Sequence, residues 1–185
     1  METVKYAATI LEELQRSISF VNNEEADEFV EQLLQARKVF VAGAGRSGFM
    51  GKSFAMRMMH MGHDAYVVGE TVTPGLEQGD LLVIGSGSGE TKSLVGMAEK
   101  AKQIGGKVAL VTIFPESRIG SFADVIVKLP GSPKDQEQNE YHTIQPMASL
   151  FEQTLLLFYD AVILKYMERK GIENVTMFGR HANLE

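Results

Sequence analysis

The sequence predicts an α/β fold, a five-stranded parallel sheet with helices on both faces in three layers. Three observations predict it. Short apolar runs alternate with longer stretches of helical period. The runs are apolar throughout instead of alternating, as strands buried on both faces are. Two of them feed directly into Gly/Ser loops that open helices.

Ile10, Leu11, Leu14 and Ile18 recur at helical spacing and place a first helix at 3–20. Asn22 or Asn23 caps a second at 24–36, with acids in its first turn where the helix dipole favours them. Val39-Phe40-Val41-Ala42 is the first strand and 47–61 the helix after it. The other strands are 65–68, 81–85, 107–113 and 124–129, with a helix at 91–104 and a short helical turn at Pro115-Glu116. A polar, proline-bearing loop covers 130–141, and a long helix at 146–170 ends at Gly171. One domain of 185 residues is expected: N-terminal helices (1–36), parallel core (37–130), C-terminal helix (146–170) and tail (171–185).

Composition excludes several classes. A net charge of −6 argues against a nucleic-acid or anionic-membrane partner. With no cysteine there is no disulfide framework and no thiol nucleophile. The first 16 residues mix acids and bases and lack an apolar signal core. The most apolar stretch, 150–166, is interrupted by Glu152 and Asp160 and falls short of a membrane span. A cytoplasmic protein is expected.

In a parallel sheet, ligands bind beyond the carboxyl ends of the strands, which is where the two Gly-rich loops lie. The first reads Gly43-Ala44-Gly45-Arg46-Ser47-Gly48 and fits the dinucleotide pattern G-x-G-x-x-G. By itself it suits a nucleotide or a smaller anion equally, because its glycines and helix N-terminus attract any phosphate. The second, Ser86-Gly87-Ser88-Gly89-Glu90-Thr91, places three hydroxyls in six residues. Such a nest wraps one phosphate and is superfluous for a dinucleotide. The competing reading is a Ser/Gly turn that only caps a helix.

A strand followed by Gly43, Gly45 and Ser47, then a strand followed by Ser86, Ser88, Gly89 and Thr91, resembles the SIS (sugar isomerase) family. The resemblance extends through 42–62, 84–94, 129–135, 143–161 and 181–185. It implies a Rossmann/flavodoxin-like α/β/α domain that binds a small-molecule sugar phosphate. It implies a homo-oligomer, a tetramer or dimer of dimers, with no metal and no cofactor. Within the family the similarity points to interconversion of D-arabino-hex-3-ulose 6-phosphate and D-fructose 6-phosphate. The functional partner is then 3-hexulose-6-phosphate synthase, which fixes formaldehyde onto ribulose 5-phosphate in the ribulose monophosphate pathway.

That reaction moves a carbonyl between C3 and C2 through an enediol, so it needs a base and donors for the enediolate. A 3-ketose phosphorylated at O6 closes no ready five- or six-membered ring, so no ring-opening acid is required in that direction. Glu152, among Leu150, Phe151, Leu155 and Leu156, is the first candidate for the base, since burial raises a carboxylate toward neutral pKa. The alternative is an exposed acid on an amphipathic helix. His181 is second: it is either a solvated tail residue or, as the resemblance suggests, an acid or base reaching a neighbouring subunit. Arg46 is read as steadying phosphate or enediolate, and Glu90 as orienting that group or pairing with Arg46, unless the two form only a helix-entry charge pair.

Gly45, Ser47, Ser86, Ser88, Gly89 and Thr91 are the expected phosphate contacts. Lys52 is read as solvated, and His60, among Met58, Met59 and Met61, as packed in the core more readily than as a site residue. His60 and His63 have no carboxylate at metal spacing. Lys134, Asp135 and Gln145 are candidates for closing over the substrate. Competing functions are another SIS isomerase, acting on arabinose 5-phosphate or a heptose phosphate, a non-catalytic sugar-phosphate sensor, and a dinucleotide-binding protein.

Overall fold

A computed structural model describes residues 2–131 and 142–184. Five strands, β1 (Val39–Gly43), β2 (Ala65–Val67), β3 (Leu81–Gly85), β4 (Lys107–Thr112) and β5 (Val125–Lys128), form one sheet in the order β2-β1-β3-β4-β5. Every neighbouring pair is parallel. The strand order turns back at β1, so the chain leaves β1 toward one edge and β3 toward the other. A crevice opens between their carboxyl ends at such a reversal. The register aligns Gly43 with Gly85 across it.

Side-chain alternation explains the layers. Val39 and Val41 join one core with Val83, Ala109 and Val111, while Phe40 and Ala42 join the other with Leu82, Ile84, Val108 and Leu110. The first face is covered by α2 (Asn23–Gln35), α3 (Gly45–His60) and α5 (Ser149–Lys170), with α1 (Thr3–Ile18) lying against α5. The second is covered by α4 (Lys92–Ile104) and a 3-10 turn at Gly120–Phe122. A parallel sheet wet on one side would expose the apolar half of every strand, so both cores are required.

Several ends follow the expected chemistry. The Asn22 side chain accepts the Glu24 N–H at 2.8 Å and starts α2. Gly171, left-handed at φ 63°, stops α5. Apolar side chains surround α5, and it buries Leu150, Phe151, Leu155, Phe158, Tyr159, Val162, Ile163 and Tyr166 among its neighbours. It begins at Ser149, three residues later than expected, because Met147 is held at φ 54° and cannot continue a right-handed helix. Pro115-Glu116 forms a non-helical turn, with the 3-10 turn further on. A short helix, α6 (Asn174–Phe178), occupies part of the region read as tail, held by the buried Met177.

Candidate active site

The crevice at the β1/β3 reversal is a cavity of about 420 Å³. The first loop makes one wall. Strand and helix approach so closely that a Cβ on Gly48 would lie 2.6 Å from the Gly43 carbonyl oxygen, so both positions must be glycine. That approach brings the α3 N-terminus to the strand end. Gly45, Arg46 and Ser47, in the first turn of α3, line the cavity. Their N–H groups have no partner one turn back and suit an anion.

The second loop makes the facing wall. Ser86 Oγ accepts the Gly89 N–H and Ser88 Oγ accepts the Glu90 N–H, both at 3.2 Å. An accepting hydroxyl keeps its own proton to donate, so both remain available to a phosphate. Thr91 sits at the N-cap of α4 but makes no side-chain cap bond, and it faces the cavity with Ser86 and Ser88. The loop is braced from behind. Thr112 Oγ1 and the Ile113 N–H both donate to the Gly87 carbonyl at 3.2 Å, and the Ile119 N–H donates to the Gly89 carbonyl at 3.0 Å. Gly89 is left-handed at φ 63°, and a Cβ there would lie 1.9 Å from Ser117 Oγ.

Glu152 closes the third side from the first turn of α5. Its side chain is 12% exposed, and its Oε2 forms an ion pair with Arg46 Nε at 2.6 Å; the Arg46 side chain is 59% exposed. Leu94, Ile113, Phe114 and Phe151 provide apolar surface, so the polar groups act where water is partly excluded. Arg46, Ser47, Gly45, Ser86, Ser88, Thr91 and Glu152 are therefore gathered in one cavity.

Three expected neighbours lie elsewhere. Glu90 does not meet Arg46; its Oε1 accepts the Arg118 N–H at 2.8 Å, so it ties the second loop to the turn behind. Gly89 likewise serves that junction and does not line the cavity. His181 stacks on His60, ring centroids 5.3 Å apart, at the far end of α3. That is about 20 Å from the loop by the helical rise. Within one chain His181 does not reach Glu152.

His60 is 3% exposed, in keeping with a packed histidine. Burial first, then the charges of Arg57 and His181, hold its pKa below the ordinary 6.5. Lys52 pairs with Glu70 at 2.7 Å on the surface. Gln145 is buried and donates to Glu13 away from the cavity. Lys134 and Asp135 lie outside the described residues. Among the described residues, no three His, Asp or Glu side chains group as a metal site would require.

Sequence reasoning missed Ile113, Phe114 and Ala148, which also line the cavity. Ile113 and Phe114 were findable, since they follow β4 and ligands gather beyond strand ends. Ala148 carried no signal.

The SIS domain family profile matches residues 32–163, which include every cavity-lining residue. The chain belongs to the SIS domain family. Among SIS relatives, the 3-hexulose-6-phosphate isomerase of Bacillus subtilis is 62% identical over 185 residues, covering all of both chains. The 3-hexulose-6-phosphate isomerase of Mycobacterium gastri is 38% identical over 176 residues, 95% of this chain and 88% of that one. A Methanococcus jannaschii protein, whose crystal structure infers a molecular function of 3-hexulose-6-phosphate isomerase, superimposes with a TM-score of 0.80. It is 35% identical, with 97% of each chain covered.

Proposed function

We propose that this SIS chain is an isomerase that interconverts D-arabino-hex-3-ulose 6-phosphate and D-fructose 6-phosphate. One observation carries the reading: the Glu152 carboxylate faces a hydroxyl-rich phosphate nest across a cavity of about 420 Å³ at the strand ends. The named relatives, matched over nearly their whole length, support the choice of substrate.

The phosphate sits among Ser47, Ser86, Ser88, Thr91 and the free N–H groups of α3. Glu152 takes the C2 proton of the open-chain 3-ulose and returns it to C3, leaving the carbonyl at C2. Arg46, already against Glu152, donates to the oxygen where negative charge develops. Substrate and product contain the same number of hydrogens, so the step needs no external electron carrier.

The second proton transfer, between the two oxygens, is assigned to His181 of a neighbouring subunit in a homo-oligomer, a tetramer or dimer of dimers. His181 is exposed on its own chain, and apolar residues stand exposed at seven-residue spacing on α1 (Val4, Leu11, Ile18) and α5 (Leu157, Leu164). Such stripes need a covering surface. The enzyme works in the cytoplasm, with 3-hexulose-6-phosphate synthase supplying its substrate. No helix among the described residues is long and apolar enough to cross a membrane.

The test is turnover of 3-hexulose 6-phosphate, generated in place by the synthase, with fructose 6-phosphate followed by coupled oxidation in EDTA. Rapid turnover that collapses in Glu152→Gln while substrate still binds supports the reading. Tight sugar-phosphate binding without turnover replaces it with a sensor.

A further inference from the structure

Glu13 is a carboxylate 6% exposed on the outermost helix, remote in sequence from every site residue. Three donors converge on it. Thr143 Oγ1 donates at 2.6 Å, the Ile144 N–H at 2.8 Å and Gln145 Nε2 at 2.9 Å. One turn along α1, Arg16 Nη2 donates to the His142 carbonyl at 2.9 Å. The N-terminal helix thus grips four consecutive residues, 142–145.

The chain runs from this grip directly into the active site. Met147 is the one non-glycine residue with positive φ among those described. Ala148 lines the cavity, Ser149 opens α5 through its N–H to the Pro146 carbonyl, and the Glu152 N–H donates to the Ala148 carbonyl. A left-handed conformation is unfavourable for a residue with a side chain and persists only where its surroundings impose it. Hydrogen bonds to Glu13 and from Arg16 restrain this approach from outside, and the Gln145 N–H, donating to Thr143 Oγ1 at 3.0 Å, braces it from within.

We propose that Glu13 is a positioning residue for Glu152: by clamping residues 143–145 it holds Met147 left-handed and so aims the first turn of α5 into the cavity. The catalytic part of this inference rests on the isomerase reading above; the anchor itself does not. Only a carboxylate, acceptor on both oxygens, satisfies three convergent donors. Glutamine at this place turns an N–H₂ toward them.

The experiment uses full-length protein with Glu13→Gln, Glu13→Asp, and Glu13→Gln combined with Met147→Gly. Glycine adopts positive φ freely, so it compensates for a lost clamp. In Glu13→Gln, kcat is expected to fall about 10- to 100-fold with KM changed by less than about threefold, as a misaimed catalytic group behaves. Glu13→Asp retains part of the activity, and Met147→Gly restores most of what Glu13→Gln loses. Hydrogen exchange at the Ser149 and Glu152 amides rises at least about tenfold in Glu13→Gln, as local opening of that turn requires, while β1 and β3 keep their protection. Wild-type kcat in Glu13→Gln, or wild-type exchange at Ser149 and Glu152, overturns the proposal. Exchange needs no substrate, so a wild-type protein that fails to turn over the hexulose phosphate counts against the isomerase reading and leaves the anchor decided by exchange.

Discussion

Arg46 Nε and Glu152 Oε2 meet at 2.6 Å across the mouth of the cavity, one from the first turn of α3 and the other from the first turn of α5. The pair joins two helices that cover the same face of the sheet, at the cavity wall. Its partners are expected to act as a unit. Arg46→Lys keeps the charge but loses the planar fork, and its kcat should fall about tenfold or more. Arg46→Ala with Glu152→Gln should be no slower than Glu152→Gln alone, because residues acting in one step are non-additive. Steady-state kinetics of the three variants checks this, and additive losses would place the two residues in separate steps.

Gly89→Ala sets a methyl group against Ser117 Oγ in a left-handed conformation. Destabilisation of roughly 1–3 kcal/mol is expected for such strain. Because the loop carries Ser86, Ser88 and Thr91, KM for the sugar phosphate should rise as well. Urea unfolding and kinetics on the same variant measure both.

Subunit mixing tests the assignment of His181. A preparation of Glu152→Gln and another of His181→Ala should each be nearly inactive. Unfolded together and refolded, they should regain activity, since a mixed interface joins one intact Glu152 to one intact His181. No regain, with oligomers re-formed, confines catalysis to residues of a single chain.

The pKa of Glu13 lies below its ordinary 4.5: burial alone would raise it, but donors from Thr143, Gln145 and Ile144 and the charge of Arg16 outweigh that effect. A depressed folded pKa gives stability that is present above the unfolded value and lost as pH falls through the folded one. Acid unfolding below about pH 4.5 should therefore be steeper in wild type than in Glu13→Gln. His60 contributes in another window. Its folded pKa is lowered from 6.5, so the unfolded chain binds the extra proton, and stability falls as pH drops below that value. Replacing His60 with Gln should flatten thermal stability between pH 7 and the mildly acid range.

The strands were legible because parallel strands buried on both faces are short apolar runs, and β1 and β3 end at glycines that mark the loops. The hydroxyl nest was legible for the same reason, as was Glu152, an acid standing in an apolar helix. Local rules misjudged the start of α3. The helix was expected from residue 47, but Ala44 occupies the N-cap and Ser47 lies inside the first turn, where it faces the cavity. The α6 helix, rich in residues of modest helix propensity, forms around the burial of Met177, a tertiary effect. The meeting of Glu13 with Thr143 spans 130 residues and follows no periodicity. The partner of Arg46 was missed likewise, since Glu90 is nearer in sequence and Glu152 nearer in space.

The contact between Gly43 and Gly48 bears on how such loops are recognised at all. Two of the three glycines in a signature commonly taken for dinucleotides are here demanded by the chain's own backbone. Any protein that turns a central strand into a helix at this spacing must spell the corner the same way, whatever guest it receives. The motif is a mark of masonry, and the neighbouring hydroxyls are where different occupants would leave their trace.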